Sequence, residues 1–531
     1  MSDEFTPPER QIGQIDRREL MKIGAGIAAA VGVGAPMAAA QEMAQGGEEN
    51  RPGAAPHTMR KSGEIAPFTG PGYVNNANRL GGNGPMDDTT AKIVKFAREY
   101  DESKITPSAM AWVNRTMVDS MAALVAGFEL EEPRILAKLA RDLYAPAKET
   151  STILGYGVST NPEMASVVNS VLIRCTDFND NIGRSANHVS TLIPAALSMG
   201  EALHCTGKQV AAAIIIGYEL TGTPTGSDSV ASAVMAAKLM GLDEDRMANA
   251  ISMALIPHVP LNKGVGAMSM WKNVRESEPV RCGVWGALMA RGGLTGNPQP
   301  FEGRGAYWAY QRRTTVQEFN LPVRSDAMII EWNHWFKRRP AEAGSQGILM
   351  MLPEVRSWVK PEDIAHIHFD MGDWEEIGDA PKWDPRNRQT ADHSLPYIIA
   401  RALLDGDIYL DSYSEEKFMD PKARELMNKT TLAPVFSGWT GIGAGRLTIT
   451  KNSGETKYWD TYGGNRMPGM PEFKPLNDAE LKEKFDRACN YQKMAPAQRD
   501  QAYKILSRLE DVKDFADAMK VLANFGQPKP L

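Results

Sequence analysis

Cysteine is scarce in this chain. There are four in 531 residues, Cys175, Cys205, Cys282 and Cys489, with no CxxC pair and no Cys/His cluster. That spacing argues against an iron–sulfur centre or a structural zinc site and suggests no disulfide framework. A surplus of positive charge is also missing. The formal net charge is −6, which leaves no basic footprint for nucleic acid. No hydrophobic run is long and apolar enough for a good transmembrane helix. No internal repeat is evident. The remaining composition, 43% hydrophobic and 23% charged, is that of an ordinary globular protein. The length calls for two domains rather than one small core.

Residues 1–40 read as an export signal. Asp16-Arg17-Arg18-Glu19-Leu20-Met21-Lys22 is similar to the twin-arginine pattern. A mildly apolar Gly/Ala-rich run follows over 23–35, and Pro36-Met37-Ala38-Ala39-Ala40 offers a cleavage site before Gln41. The expectation is a bacterial protein passed folded through the twin-arginine export machinery to the periplasm, without stable membrane insertion. Residues 41–86, rich in Gly, Pro, Asn and Glu, read as a linker or surface arm.

Helical spacing of apolar residues begins at residue 87. It predicts helices over 91–100, 108–130, 133–144, 161–175, 191–204, 207–220, 227–240, 243–255 and 279–291. Many are Ala-rich and apolar on most sides, as expected of helices inside a bundle. Near residue 325 the texture changes. Alternation predicts strands over 364–370 and 445–450, with a further strand at 457–459. Helices are expected between them at 345–352, 394–404 and 421–428. Residues 478–525 are helical again. The predicted fold is mainly α. A helical domain (87–324) is interrupted by a smaller α+β lid (325–460), and C-terminal helices (461–531) return to the first domain.

Four segments concentrate polar chemistry. Thr176-Asp177-Phe178-Asn179-Asp180, with His188 after a short loop, lies between two apolar helical runs. A carboxylate near an imidazole can orient it and raise its basicity for general base catalysis. The same residues can also serve as helix caps. Lys272 sits in Ser269-Met270-Trp271-Lys272-Asn273-Val274-Arg275, where it either neutralises a substrate carboxylate or is a solvated loop lysine. Lys337-Arg338-Arg339 opens the lid, either as an anion pocket or as a solvated basic turn. Asp392-His393 precedes an apolar helix. Asp392 is read there first as an N-cap, and otherwise as the group that holds a buried His393.

Together these segments resemble the MmgE/PrpD family, whose members include 2-methylcitrate dehydratases, cis-aconitate decarboxylases and iminodisuccinate epimerases. The ordered blocks are DFND…H at 177–188, GKQVAAAIIIGYEL at 207–220, SMWKNV at 269–274, GALMARGGLTGNPQPFEG at 286–303, FKRRPAE at 336–342, ADHSLPYIIARALLDG at 391–406 and DAELKEKFDRAC at 478–489. The resemblance covers about residues 90 to 490.

It implies a lyase or isomerase without metal or other cofactor, working as a homodimer on small polycarboxylates. By position it places Asp177, His188 and Lys272 as catalytic residues. It places Asn179, His258, Lys337, Arg339 and His393 as substrate-binding residues, with Tyr218 better read as core packing. Two imidazoles common in relatives are absent. One belongs in the loop here reading Thr221-Gly222-Thr223-Pro224-Thr225-Gly226, the other in Glu342-Ala343-Gly344-Ser345-Gln346. The expected reaction starts with proton abstraction next to a carboxylate, with dehydration first. Epimerisation, decarboxylation and carboxylate binding without chemistry are the alternatives. Building charge on an enediolate-like carboxylate calls for concentrated cations.

Overall fold

The computed structural model describes residues 86–144, 148–183, 188–258, 268–303, 305–310, 316–371, 375–434, 445–461 and 475–526. The expected export signal and the expected arm up to residue 85 lie outside them. The fold is mainly α. Nine longer helices come first among the described residues: α1 (Asp88–Glu99), α2 (Pro107–Gly127), α3 (Glu131–Leu143), α4 (Pro162–Arg174), α5 (Ile193–Ala202), α6 (Gly207–Thr221), α7 (Asp228–Leu239), α8 (Glu244–Leu255) and α9 (Glu278–Arg291). No described helix is long and apolar enough to cross a membrane.

Local chemistry starts these helices where the sequence places the right groups. Thr106 accepts from the Ala109 amide and Pro107 opens α2. Asn161 accepts from the Met164 amide and Pro162 opens α4. Thr206 and Gln209 form a reciprocal capping box at α6. Every residue of α4 except Glu163 is buried. This helix runs through the middle of the bundle, packed by α2, α3, α5 and α9. The hairpin of β1 (Ser151–Ile153) and β2 (Val158–Thr160) lies beside it.

A second pairing matters more for the site. β3 (Asn181–Ile182) runs antiparallel to β4 (His334–Trp335), with Asn181 opposite Trp335 and Ile182 opposite His334. Two residues on each side tie the segment after α4 to the stretch that leads out of the bundle toward the lid.

In the lid, β5 (Ile364–Met371) is flanked by β6 (Thr430–Pro434), parallel, and β7 (Gly445–Lys451), antiparallel. The outer strand β8 (Thr456–Asp460) pairs with β7. Ile367, Phe369 and Met371 point inward in alternation, together with Leu447, Ile449 and Trp459. Helices α10 (Gln346–Trp358), α11 (Leu395–Asp405) and α12 (Pro421–Asn428) complete this part, with α10 covering the sheet at β7 and β8. The C-terminal helices α13 (Asp478–Tyr491), α14 (Pro496–Leu506) and α15 (Phe515–Leu522) lie back on the first domain. Helices α13 and α14 pack against α2, and α15 against α5.

Two hydrophobic cores result. One spans the bundle and the C-terminal helices, the other the lid from Ala341 to Trp459. Residues just after 325 stay with the bundle, because Ile329, Ile330 and Phe336 are buried in its core. Lys337 therefore sits at the seam.

Helix α2 ends where it meets the α4 backbone. A Cβ at position 127 would stand 2.5 Å from both the Leu172 carbonyl oxygen and Cys175 Sγ. Gly127→Ala is expected to lower stability by roughly 1–3 kcal/mol, the range for overpacking a core. A urea unfolding curve checks this, and an unchanged midpoint would mean that α2 slides freely past α4.

Candidate active site at the seam of the two cores

Helix α4 ends in Arg174, and three residues later Asp177 adopts the left-handed backbone conformation (φ 52°). Non-glycine residues rarely do so, and Asp tolerates it better than most. The turn points a fully buried carboxylate back at its own helix end. Asp177 Oδ1 meets Arg174 at 2.9 Å and Lys337 Nζ at 2.6 Å. Lys337 also donates to the Asp177 carbonyl at 3.1 Å. Asp177 Oδ2 lies 3.6 Å from Lys272 Nζ and 3.3 Å from His393 Nδ1. Asp392 closes the group, 2.6 Å from Lys272 Nζ and 2.8 Å from His393 Nδ1. Three cations thus stand on two carboxylates away from solvent.

Charge state follows from this crowding. Burial pushes Asp177 up, but Arg174, Lys337 and Lys272 outweigh it and hold the carboxyl well below the usual carboxylate range. Burial likewise opposes ionisation of Asp392, and Lys272 and His393 bring it below its ordinary value. His393 falls to about 4, through burial first and then Lys272. His188 is driven well below its ordinary value by burial, Arg174 and Lys337, against the weaker opposite pull of Asp177. At neutral pH the site holds ionised carboxylates and neutral imidazoles.

Asp177 Oδ2, Asp392 Oδ2 and His188 Nδ1 have no hydrogen-bond partner among the described residues. Buried polar atoms left open at one place are what a ligand site provides. One ligand atom each from Asp177, Asp392 and His393 lie within 4.8 Å of one another, a spacing that suits a metal ion. Lys272 Nζ stands on Asp392 Oδ1 and Lys337 Nζ on Asp177 Oδ1 of the same carboxylates.

A second buried network braces the first. Asp180 accepts from the Ser190 amide at 2.9 Å, pairs with His334 Nε2 at 2.6 Å and takes the Tyr218 hydroxyl. Lys484 on α13 reaches Asp119 on α2 and donates to the carbonyls of Phe178 (2.7 Å) and Lys337 (3.0 Å).

Both parts of this arrangement match known domains. The MmgE/PrpD N-terminal domain matches residues 91–317, and the MmgE/PrpD C-terminal domain matches residues 340–510. The chain belongs to the MmgE/PrpD family. Similar proteins include the cis-aconitate decarboxylase of Homo sapiens, 23% identical over 437 residues, covering 75% of this chain and 87% of that protein. The cis-aconitate decarboxylase-like protein oryM of Aspergillus oryzae is 23% identical over 456 residues, covering 76% and 91%. The cis-aconitate decarboxylase of Aspergillus terreus is 24% identical over 356 residues, covering 57% and 71%.

Of the residues singled out in this MmgE/PrpD sequence, the structure brings Asp177, Lys272, Lys337 and His393 into direct contact, with His188 within their electrostatic reach. Asp177 does not hold His188 as expected. Its carboxylate is committed to cations, and they depress the imidazole rather than raise it. Asn179 donates to Ser190 Oγ and so braces the loop.

His258 is not in the cluster. It lies past the end of α8 with Nδ1 3.9 Å from Cys282 Sγ on α9, near Glu278 and Glu276. Arg339 turns away to Asp407, 2.7 Å from its Nε. Asp392 is not the N-cap of α11. Ser394 caps it, which leaves Asp392 for Lys272. Tyr218 is buried in the bundle core and also hydrogen-bonded to Asp180. The sequence reading missed Arg174, His334 and Lys484. The available signal was a charged or imidazole group inside an otherwise apolar stretch.

An unfolded imidazole titrates near pH 6.5. In the fold His393 does so at about 4. Between those values the unfolded chain binds a proton that the folded chain does not. Stability is therefore full above about pH 6.5 and declines as pH falls toward about 4. His188 acts in the same direction. Asp119, pushed up to about 6 mainly by burial, acts oppositely over an overlapping range. The readout is therefore a contrast: melting temperature should drop between pH 7 and 4.5, and less steeply in His393→Gln. Equal slopes would count against a buried neutral His393.

Proposed function

We propose that this protein is a lyase that breaks a bond next to a carboxylate on a small di- or tricarboxylate. The carrying observation is the buried cluster itself: Lys272, Lys337 and Arg174 around Asp177 and Asp392, beside two neutral imidazoles. The names of the relatives support decarboxylation of an unsaturated tricarboxylate as the first reading. Carbon dioxide leaves, the electron pair of the broken C–C bond moves into the adjacent unsaturated system, and a proton is delivered to carbon. Lys272 and Lys337 stabilise the charge that spreads onto a neighbouring carboxylate. In this reading the Lys272 ammonium, held by Asp392, delivers that proton and is reprotonated from solvent.

One observation favours dehydration as a second reading. His188 is neutral and its Nδ1 is unengaged among the described residues, as a base for an α-proton must be. In that reaction His188 takes the proton, and Lys272 protonates the departing hydroxide. The twin-arginine-like leader supports export as part of the same proposal, and the family resemblance supports a homodimer.

The test is incubation with cis-aconitate, citrate and malate in deuterated water, with carbon dioxide and products followed by mass spectrometry. Turnover with deuterium at the carbon next to a carboxylate is expected. His188→Ala and Lys272→Met should each lower kcat by about 10²–10⁴-fold. An acid that binds yet shows neither turnover nor exchange would overturn the lyase reading. Full activity of His188→Ala would remove that residue from it.

A further inference from the structure

Arg388 opens a one-turn helix, Arg388–Ala391, that leads into Asp392. Its Nη1 donates to the Cys175 carbonyl, 2.7 Å away, at the end of α4 and two residues before Asp177. Its Nε and Nη2 are buried and have no hydrogen-bond partner among the described residues. Those two nitrogens form one edge of the guanidinium, with parallel N–H bonds at the spacing of two carboxylate oxygens.

The Arg388 guanidinium carbon lies over the Tyr413 ring, 5.8 Å from its centre. Tyr413 is 2% exposed. Its hydroxyl also lacks a partner among the described residues. Burial, then the nearby charge of Asp392, keeps the phenol well above its ordinary range, so it stands as a donor. Arg388 leads into Asp392 and stands on the Cys175 carbonyl, so the Arg388–Tyr413 pair lies beside the cluster described above.

Three buried donors without acceptors are expensive. Each costs about 1–3 kcal/mol if nothing meets it. The cluster cations differ in this respect: Lys272 is held by Asp392 and Lys337 by Asp177. Among the described residues the guanidinium edge is a cationic fork left open, and the Tyr413 hydroxyl adds a third donor without a partner.

We propose that Arg388 and Tyr413 form a second carboxylate-binding subsite, distinct from the Lys272–Lys337 cluster. It holds a terminal carboxylate of the substrate and favours acids with three carboxylates over acids with two. This inference rests on the reading of the pocket as a polycarboxylate site. Arg388 and Tyr413 are binding and specificity residues and take no part in proton transfer.

Calorimetric titration of the full chain tests it, with tricarballylate as the three-carboxylate probe and glutarate as the two-carboxylate probe. The wild type should bind tricarballylate more tightly. Arg388→Gln should weaken tricarballylate by about 10- to 100-fold, the scale of a lost charge-assisted pair, and glutarate by less than about 3-fold. Arg388→Gln also gives up the bond to Cys175, so its melting temperature is measured alongside. Tyr413→Phe breaks no contact with a described residue. It should melt at or above the wild-type temperature and still weaken tricarballylate by about 3- to 10-fold. If Arg388→Gln unfolds, Tyr413→Phe decides. Unchanged tricarballylate affinity in folded variants, with affinity lost in Lys337→Met, overturns the subsite and leaves the pocket reading standing. A wild type that binds neither acid overturns both.

Discussion

A carboxylate taken out of water must be matched by positive charge, and the region around Asp177 is organised to supply it. Arg174 comes from the same helix, Lys337 from the strand leaving the bundle and Lys272 from the turn before α9, while the neutral His393 joins them from the lid. Each arrives from a different part of the chain. Removing one partner of such a buried pair typically costs about 3–5 kcal/mol, because the other charge is left stranded. Net stabilisation from the cluster is small by the same reasoning, since each ion also loses its hydration. What the cluster secures is position: four chain segments are held at one point with their charges intact. The left-handed turn at Asp177 belongs to this arrangement, as strained backbone often does at functional sites.

The seam location follows from the two cores. Phe336 is buried in the bundle and Ala341 in the lid, so the residues between them can belong to neither apolar interior. Lys337 uses that freedom. The β3–β4 pairing sets Ile182 opposite His334, which brings the stretch leading to Lys337 alongside the segment that carries Asp177. Chemistry at a boundary between domains gains from both sides. Each core fixes its own residues rigidly, and the polar groups need not displace apolar packing.

The elements with strong periodicity were legible from sequence alone. The long helices and the strands β5, β7 and β8 lie where apolar spacing puts them, to within a few residues at the ends. β6 was not legible, because Thr430-Thr431-Leu432-Ala433-Pro434 shows no alternation and is a strand only by pairing with β5. The β3–β4 pair is shorter still and exists through tertiary contact alone. In the site, Asp177, Lys272, Lys337 and His393 were found through ordered blocks rather than through their own neighbourhoods. Locally, Asp392 reads as a cap because an apolar helix follows it. Ser394, two residues on, takes that role and leaves Asp392 for a lysine 120 residues away. Arg388 and Tyr413 look like surface residues in the sequence. Only burial of their open polar atoms distinguishes them.

Lys484 gives the architecture a direction in time. Its ammonium joins Asp119, the Phe178 carbonyl and the Lys337 carbonyl, across separations of 365, 306 and 147 residues. A ribosome releases those three partners long before it releases position 484. Throughout most of synthesis the backbone on both sides of the Asp177–Lys337 pair lacks its shared donor, and Asp119 lacks its counter-charge. The wall around the Asp177–Lys337 pair therefore stays incomplete until the far end of the polypeptide has been made.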